Sequence, residues 1–533
     1  MGQGCRLRPM RFPGARALAL LLSVSMPHEV RAQWTELVAG TEASRYLHAA
    51  QLTGLWGGEA TGLRPYGPAV IDRWKRDSVA RHPWASRFNR RTRWISILRP
   101  QLQGTYARGD FPWIQDDGPV WQGLGATTTA SAGIALRIGP LSARLEPVVF
   151  RSGNQPFPLL GDTARRPSPF LDALRPYGID LPQRFGRGTY QRVDAGQSEI
   201  RLDLKGLAVG VSTGTRMWGP GLRHGMLLSE QAPGIPHLFL GTSRAWRSPL
   251  GRLSGLLFYG KGTPSGFQPP IDTADRLISG AIAIWRPPTS EAFEFGVGRL
   301  YHKFWTGSEL SARTFTAPFG SFFTDRQTYA AGEADNQLLT VFARLRSPED
   351  GFEVYGEFGR NDRGYDARDI VLEPDHNSAW LIGFAKASRV AQPTFWLVRG
   401  DLVNGRIGSI SRLNRAQAFF YEHYPITTGH TQRGQLLGSP LLERTGGAEL
   451  AVDRYMRSGR IGLLLTSRAM PTEAFEGELS SRVRTQWAVE TSLLRFVGRS
   501  DVLLRGGYIL DVNRWPGLNG RASYLSLSTR VGL

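Results

Sequence analysis

The chain is almost without cysteine, since Cys5 is the single one among 533 residues. One cysteine forms no internal disulfide, so a small secreted domain stapled by disulfides is excluded. Cys5 also lies in the leader segment described below, and we therefore expect neither cysteine catalysis nor thiolate metal sites in the mature protein. The sequence also lacks any uninterrupted run of about 18 apolar residues, so transmembrane helices are not expected.

Lysine is scarce as well, because only five of the 65 basic residues are lysines, in a chain with a net charge of +20. The guanidinium group of arginine makes bidentate contacts with carboxylates and phosphates, which suits acidic polysaccharide or lipid headgroups. A genome that favours arginine codons explains the excess equally well. The arginines are dispersed singly through alternating segments, which is not the pattern of a nucleic-acid-binding protein. We expect no nucleic-acid partner.

The N-terminus has the three parts of a secretory signal peptide. Basic residues up to Arg16 precede an apolar run over residues 17–24, and Val30-Arg31-Ala32 offers a cleavage site before Gln33. The apolar run is too short to cross a bilayer as a helix. We therefore predict a signal peptide over residues 1–32 and an exported protein.

From about residue 93 to the end, apolar and polar residues alternate in short segments. In residues 198–205, for example, Ile200, Leu202 and Leu204 alternate with Glu199, Arg201, Asp203 and Lys205. Roughly 17 to 19 such segments follow one another, many of them near the length of about 9 to 11 residues that a membrane strand requires. The pattern predicts an all-β fold, a transmembrane antiparallel β-barrel of about 18 strands over residues 93–533.

The connections between these segments alternate in length. Tight turns are predicted at residues 347–351, 360–362 and 498–501, and long polar connections near 153–190, 303–335 and 425–446. Short turns that alternate with long loops are typical of outer-membrane barrels. Aromatic residues flank the segments, as is typical of the girdles at the two membrane interfaces. They are Tyr301, Trp305, Trp380, Trp396, Tyr421, Trp487 and Trp515.

Residues 33–92 have a different pattern, which predicts two short helices. The first extends from Ser44, a candidate cap, to Leu52, and the second extends over residues 68–81 with a proline in its first turn. In a barrel protein, such an amphipathic pair belongs at the periplasmic mouth or inside the lumen as a plug.

One stretch, residues 217–237, combines a tryptophan with a Gly-Pro-Gly turn, and its glycines and prolines forbid a continuous helix or strand. The stretch resembles the signature of the Wzi family of capsule assembly proteins. The residues that carry this resemblance are Trp218, Gly219, Pro220, Gly221, Ser229, Ala232, Pro233, Pro236 and His237. A second stretch, residues 429–438, is similar to a glycine-rich loop late in the barrel of that family.

The resemblance implies an eighteen-stranded barrel in the bacterial outer membrane, a periplasmic helical region and lectin-like recognition of capsule outside the cell. The implied partners are capsular or other acidic surface polysaccharide, outer-membrane lipid and the barrel insertion machinery. Leu533 stands where such barrels usually end in Phe, and it keeps that position apolar. We expect a monomer.

Six residues are candidates for binding polysaccharide, because an aromatic ring stacks on a sugar and arginine pairs with uronate carboxylates. They are Arg216, Trp218, Arg223, His224, His430 and Arg433. The remaining signature residues, Gly219, Pro220, Gly221, Ser229, Pro233, Pro236 and His237, are expected to be structural. A second interpretation stays open, in which the Trp-Gly-Pro-Gly turn folds inward and Trp218 closes the lumen by packing.

No motif points to catalysis. His224 lies near Ser229 and Glu230, but no G-x-S-x-G elbow surrounds the serine. No histidine pair has H-x-x-x-H spacing, so we expect no metal and no cofactor. The predicted function is therefore a non-catalytic barrel that binds and anchors exported polysaccharide at the cell surface. A porin-like channel is the first alternative and a barrel-borne hydrolase the second.

Overall fold

The structure is a computed structural model. It describes residues 40–76, 84, 94–112, 118–268, 274–305, 307, 311–319, 335–361, 371–372, 375–388, 394–406, 419–470, 483–515 and 518–532, except positions 58, 162, 165, 424 and 425. The predicted signal peptide over residues 1–32 lies outside the described residues and stays a prediction. Among the described helices, none is both long and apolar enough to cross a bilayer.

Eighteen antiparallel strands close into a barrel, which confirms the predicted fold class. We number them along the chain as β1 (Ile95–Gly109), β2 (Gly125–Ile138), β3 (Leu141–Leu145 and Val148–Ser152), β4 (Tyr190–Asp194 and Glu199–Leu204), β5 (Leu207–Ser212), β6 (His237–Thr242 and Trp246–Ser248), β7 (Gly251–Gly262), β8 (Arg276–Arg286), β9 (Phe293–Phe304), β10 (Asp335–Ser347), β11 (Phe352–Asn361), β12 (Ser378–Ala387), β13 (Phe395–Asn404), β14 (Gly446–Met456), β15 (Gly459–Met470), β16 (Arg484–Val497), β17 (Ser500–Trp515) and β18 (Leu518–Arg530). The barrel closes where β1 pairs with β18, in a register that places Gln101 opposite Arg530.

Two neighbouring wall strands, β3 and β4, are interrupted halfway. Pro147 lies in the break of β3 and has no N–H to donate to the ladder. Across the gap, Gln197 N donates to Glu146 O at 3.2 Å, and Glu146 N donates to Ser198 Oγ at 3.0 Å. These bonds keep the wall closed where the regular pairing stops.

The two mouths of the barrel differ as an outer-membrane barrel requires. Short turns join β10 to β11 and β16 to β17, as predicted, and long loops emerge at the opposite mouth. The tight turn predicted at residues 360–362 is wrong, because β11 runs on through Asn361 and β12 begins only at Ser378. We call the two ends the short-turn mouth and the long-loop mouth. In barrels of this class they face the periplasm and the outside.

The outward face of the wall is apolar, as a lipid-facing surface requires. Trp380, Trp396 and Trp487 are exposed on it, as predicted for interface aromatics. Tyr301 and Tyr421 were predicted for the same girdles, and this is wrong, because both are buried and Tyr421 packs among residues inside the barrel. The place of an aromatic residue beside a strand segment therefore did not predict whether its side chain is exposed or buried.

The N-terminal helices lie in the lumen and pack on its wall. Helix α1 (Glu42–Leu52) is buried on nearly all sides and packs against the inward residues Phe395, Leu397 and Tyr455 of the wall. Thr41, rather than the predicted Ser44, caps it, with Thr41 Oγ1 accepting from Ser44 N. Helix α2 (Pro68–Arg76) begins as predicted, and the rest of the predicted helix, residues 77–81, lies outside the described part of the chain.

The remaining elements are small. Helix α3 (Ala312–Phe315) and the 3-10 turns Ala317–Phe319 and Pro440–Leu442 lie in loops. Two short strand pairs form apart from the wall: Leu63–Arg64 with Met217–Trp218, and Thr431–Gln432 with Gln435–Leu436.

Candidate functional site

The Trp-Gly-Pro-Gly turn lies inside the barrel, where it meets the N-terminal segment. Leu63 pairs with Trp218 and Arg64 with Met217, so two segments far apart in sequence form a small antiparallel ladder in the lumen. Gly219 N donates to Gly62 O at 3.0 Å. We use the name plug for the described positions within residues 40–76, 213–236 and 419–445.

Charged side chains fix this ladder to the wall. Glu294 on β9 accepts from Gly62 N at 3.0 Å and from Thr61 N at 3.1 Å. The buried guanidinium of Arg64 donates to the carbonyl oxygens of Gly219 and Gly221. Because hydrogen bonds to a charged group are the stronger kind, these contacts define the position of the turn.

Gly219 is required by both its conformation and its surroundings. Its φ of +105° lies in the region that favours glycine. A Cβ at this position would lie 2.5 Å from Glu357 Oε2 on β11. The turn therefore approaches the wall more closely than any side chain would allow, which explains the glycine beside Trp218.

Trp218 is a packing residue in this arrangement. It is 1% exposed, and its ring meets the ring of Phe258 edge-on with centroids 5.5 Å apart. A Cβ on Gly280 of β8 would lie 2.9 Å from Trp218 Cη2, so the indole occupies the space that a wall glycine leaves. The inward-folded interpretation of the turn describes this geometry, and no ring face of Trp218 is open to a sugar.

Around Trp218 the inward face of the wall carries a cluster of apolar residues, which lies among buried charged ones such as Glu294 and Glu357. The plug packs there onto side chains from β7 to β13, and we call this the dry half of the lumen. Its wall residues are Leu256, Phe258, Ile278, Ile282, Ile284, Leu300, Leu338, Phe342, Tyr355, Leu381 and Val403. Outward residues of the same strands, such as Trp285 and Val341, are exposed and also apolar, so these strands carry apolar residues on both faces.

His224 belongs to a buried ionic cluster at the wall. Its Nε2 lies 3.2 Å from Glu449 Oε2, and Arg223 Nε lies 3.0 Å from Glu449 Oε1. Asp401 stands directly opposite Glu449 in the register of β13 and β14, where two carboxylates need a cation between them. Nearby negative charge, Glu449 first, raises the pKa of Arg223 despite its burial.

The same cluster has the ligand types of a divalent metal site. Ligand atoms of His224, Asp401 and Glu449 lie within 4.8 Å of one another. However, Arg223 already pairs with Glu449, and Tyr355 donates to Asp401 Oδ1 at 2.7 Å. The charges are thus satisfied by protein groups, and the cluster ties the signature loop to the wall.

The serine beside His224 is Ser439, not the predicted Ser229. Ser439 Oγ lies 2.8 Å from His224 Nδ1, which gives a serine–histidine–glutamate chain with Glu449. Ser439 is fully buried, and its Oγ accepts from Leu441 N at 3.2 Å as a helix cap. Ser229 instead donates to Gly438 O at 2.8 Å. A hydrolase nucleophile has to be accessible to its substrate. Both serines are buried.

The second predicted loop is also part of the plug. His430 Nε2 donates to Leu227 O at 2.6 Å, and its ring stacks on Tyr421 with centroids 5.3 Å apart. His430 Nδ1 lies 3.1 Å from Nε2 of His302 on β9. Burial, reinforced by Arg276, lowers the pKa of His430 to about 4, so the ring is neutral at physiological pH. The pair joins the plug to the wall through uncharged imidazoles.

Arg216 and Arg433 have acidic partners within the barrel. Arg216 pairs with Glu199 at 3.3 Å and lies over the ring of Phe239, and its Nε donates to His237 Nε2 at 2.8 Å. Arg433 pairs with Asp194 at 3.2 Å and keeps a third of its side chain exposed. Of the six predicted binding residues, Arg433 is thus the most accessible.

The structure brings these six residues and the signature glycines and prolines together in one plug. Pro220 and Pro233 are buried within it, and Pro236, at its edge, is exposed. The role of the six in binding polysaccharide stays a prediction, and their burial supports packing. Tyr177 and Arg187, which the sequence analysis did not single out, are exposed on the long loop 153–189.

The lumen is not filled evenly. Between the plug and strands β1, β2 and β15 to β18 lies a cavity of about 360 Å³. We call this side the wet half of the lumen. The small polar side chains on its wall are Gln101, Gln103, Thr129, Ser131, Ser492 and Ser528.

This geometry defines a class: an outer-membrane β-barrel whose lumen is occupied by segments of its own chain. The fold is similar to that of Wzi from Escherichia coli, an outer-membrane protein involved in group 1 capsule assembly and described as a carbohydrate-binding β-barrel. The two structures superpose with a TM-score of 0.61 at 11% identity, over 94% of this chain and 100% of that one. The predicted resemblance to Wzi is therefore confirmed in the fold, and the closed barrel with its apolar outward face agrees with the predicted outer-membrane location.

Other solved structures match less well. OpdK from Pseudomonas aeruginosa, solved with vanillate, gives a TM-score of 0.40 at 12% identity, over 81% of this chain and 97% of that one. OpdQ from the same organism gives 0.40 at 8% identity with the same coverage. No family model matches the sequence, and no curated protein matches it.

Proposed function

We propose that this protein binds exported acidic polysaccharide at the outer surface of the outer membrane and anchors it there without catalysis. The observation that carries the proposal is the position of the Trp-Gly-Pro-Gly turn. A ladder between residues 63–64 and 217–218 in the lumen suits a barrel that presents a surface better than one that conducts solutes. The Wzi-like fold, which spans 94% of the chain, adds support.

The described residues favour the long loop 153–189 as the place of contact. This loop is held to the plug, since Arg444 pairs with Asp172 at 2.9 Å and with Glu422 at 2.6 Å. Tyr177 and Arg187 remain exposed on it. A ring and a guanidinium on a fixed loop are suited to a sugar face and a uronate carboxylate. Weak contacts repeated along one polymer give retention by multivalency.

The test is binding of the folded, detergent-purified protein to an immobilised uronate-containing polysaccharide over a salt series. We expect saturable binding that weakens with salt and falls about tenfold or more in a Tyr177→Ala/Arg187→Ala double variant. Arg247→Ala is the matched control, because Arg247 is equally exposed but lies beside the β6–β7 turn at the short-turn mouth. Equal loss in the double variant and the control would reject the loop as the binding surface. Absence of binding together with conductance in planar bilayers would support the channel alternative.

A further inference from the structure

The wet half of the lumen has the size and the chemistry of a small-molecule site. Its volume of about 360 Å³ falls within the range of about 300 to 1,000 Å³ that is usual for ligand sites. Ligand sites are mostly apolar, whereas amides, hydroxyls and charged side chains make up much of the lining of this cavity. The amides and hydroxyls both donate and accept hydrogen bonds. A hydrophilic ligand is therefore the suitable occupant.

The wall hydroxyls and amides are already ordered by one another. Thr105 donates to Ser526 Oγ at 2.9 Å, and Gln101 Nε2 donates to Ser528 Oγ at 3.1 Å. Arg530 in turn donates to Gln101 Oε1 at 2.9 Å. A preordered polar wall loses little side-chain entropy when a ligand binds, which favours binding.

Two buried acceptors are not satisfied by this network. Among the described residues, Gln231 Oε1 has no hydrogen-bond partner, although Gln231 is only 7% exposed. Asp501 Oδ1 also has none, while its Oδ2 pairs with Arg99 at 2.7 Å. Both residues line the cavity, Gln231 from the plug and Asp501 from the start of β17. Both oxygens are almost inaccessible to solvent. Because buried acceptors without partners are costly, a side-chain rotation that turns either oxygen towards a hydroxyl group of a ligand in the cavity would be favoured.

The charges around the cavity argue against a strongly anionic ligand. Arg144 pairs with Glu146, and Arg460 pairs with Glu42 at 2.8 Å. Positive and negative side chains thus neutralise one another along the lining. Tyr524 and Phe496 add aromatic rings to it, and such rings pack well against the apolar face of a sugar.

We propose that the wet half of the lumen is a binding site for a neutral mono- or disaccharide, separate from the polymer-binding surface at the long-loop mouth. The polar wall, the two unsatisfied acceptors and the balanced charges all select for a small ligand rich in hydroxyl groups. The proposal goes beyond the proposed function, because it concerns a different site and a different size of ligand.

The test is calorimetric titration of the folded protein with glucose and with maltose, and with glucuronate as the charged comparison. We expect saturable binding of a neutral sugar that is tighter than binding of glucuronate. Ser131→Trp would fill the cavity and weaken binding about tenfold or more. Ala132→Trp is the matched control, since Ala132 is the next residue of β2, is exposed on the outward face and should bind sugar as the unmodified protein does.

Gln231→Leu supplies a second variant, which removes an unsatisfied acceptor without removing volume. It should weaken sugar binding severalfold and leave the heat-dependent gel mobility of the barrel unchanged. No binding of either neutral sugar, or equal binding by Ser131→Trp and Ala132→Trp, would overturn the proposal. Ser131→Trp should retain the immobilised polysaccharide, so the failure of either proposal is separable from the failure of the other.

Discussion

The two halves of the lumen differ in how the plug meets the barrel wall. On the dry half, wall residues such as Ile282 and Phe342 are apolar and the plug packs directly on them. On the wet half, Gln103 and Ser131 keep the polar inward face that a membrane barrel usually has, and a cavity remains. The plug thus packs closely on the wall on the dry half and leaves a cavity between itself and the wall on the wet half.

The difference also separates stability from recognition. Apolar burial is close-packed and tolerates little change, so the dry half holds the plug in one position. Apart from one acceptor each on Gln231 and Asp501, the polar groups described on the wet half bond to one another or can reach the cavity, so they contribute less to holding the fold. They remain available for a ligand, which the packed side chains around Trp218 are not.

The largest expected effect comes from Trp218→Ala on the dry half. Truncating a fully buried Trp leaves a cavity and costs about 3 to 5 kcal/mol. We expect the urea midpoint of unfolding, followed by gel mobility, to fall strongly, and conductance in planar bilayers to rise as the plug loosens. Trp487→Ala is the control, because Trp487 is exposed on the outward face. A similar fall of the urea midpoint in both variants would mean that the packing of Trp218 does not stabilise the plug.

A smaller effect is expected from acid, through His430. Burial holds its folded pKa at about 4, below the ordinary 6.5. A depressed pKa gives stability that is fully present above pH 6.5 and is lost as pH falls towards 4, by at most about 3 kcal/mol. The measurement is the urea midpoint from pH 7.5 to 4. The urea midpoint of His430→Gln should fall less over this pH interval than that of the unmodified protein. If the two midpoints fall in parallel, His430 is not the group whose lowered pKa causes the loss of stability.

The smallest effect is expected from Gln103→Ala on the wet half. Gln103 Nε2 donates to Thr105 Oγ1 at 3.4 Å, a long bond in a wall that borders the cavity. Its removal should cost less than about 1 kcal/mol in the same unfolding measurement. A loss comparable with that of Trp218→Ala would remove the distinction between the two halves.

The alternation of residues predicted the wall well but not what fills it. Ile200 and Leu204 were predicted to share one face of a strand, and both are exposed on the outward face of β4. The dry half escaped this reasoning, because β8 carries Ile282 inward and Trp285 outward, and a strand that is apolar on both faces has no polar alternation to read. Local pattern reports which residues share a face, but not which partner covers it.

The placement of the candidate site depended on contacts across the sequence. Trp218 was assigned both a sugar-stacking and a packing role from its neighbours alone, and the two differ only in where the turn folds. Its pairing with Leu63 and its contact with Phe258 decide this, and neither contact has a local signature. The turn predicted at residues 360–362 failed similarly, because Arg360 and Asn361 are the end of a long strand.

The ladder between Leu63 and Trp218 has a consequence for how the protein is assembled. Residues 63–64 precede every wall strand, yet their partners 217–218 lie inside a ring that only the pairing of β1 with β18 completes. The enclosure of residues 63–64 and the pairing of the last strand therefore depend on one closure event. During assembly, the N-terminal segment has to enter the lumen before or while β1 pairs with β18. A barrel that closed earlier would have a complete wall and an unfilled lumen.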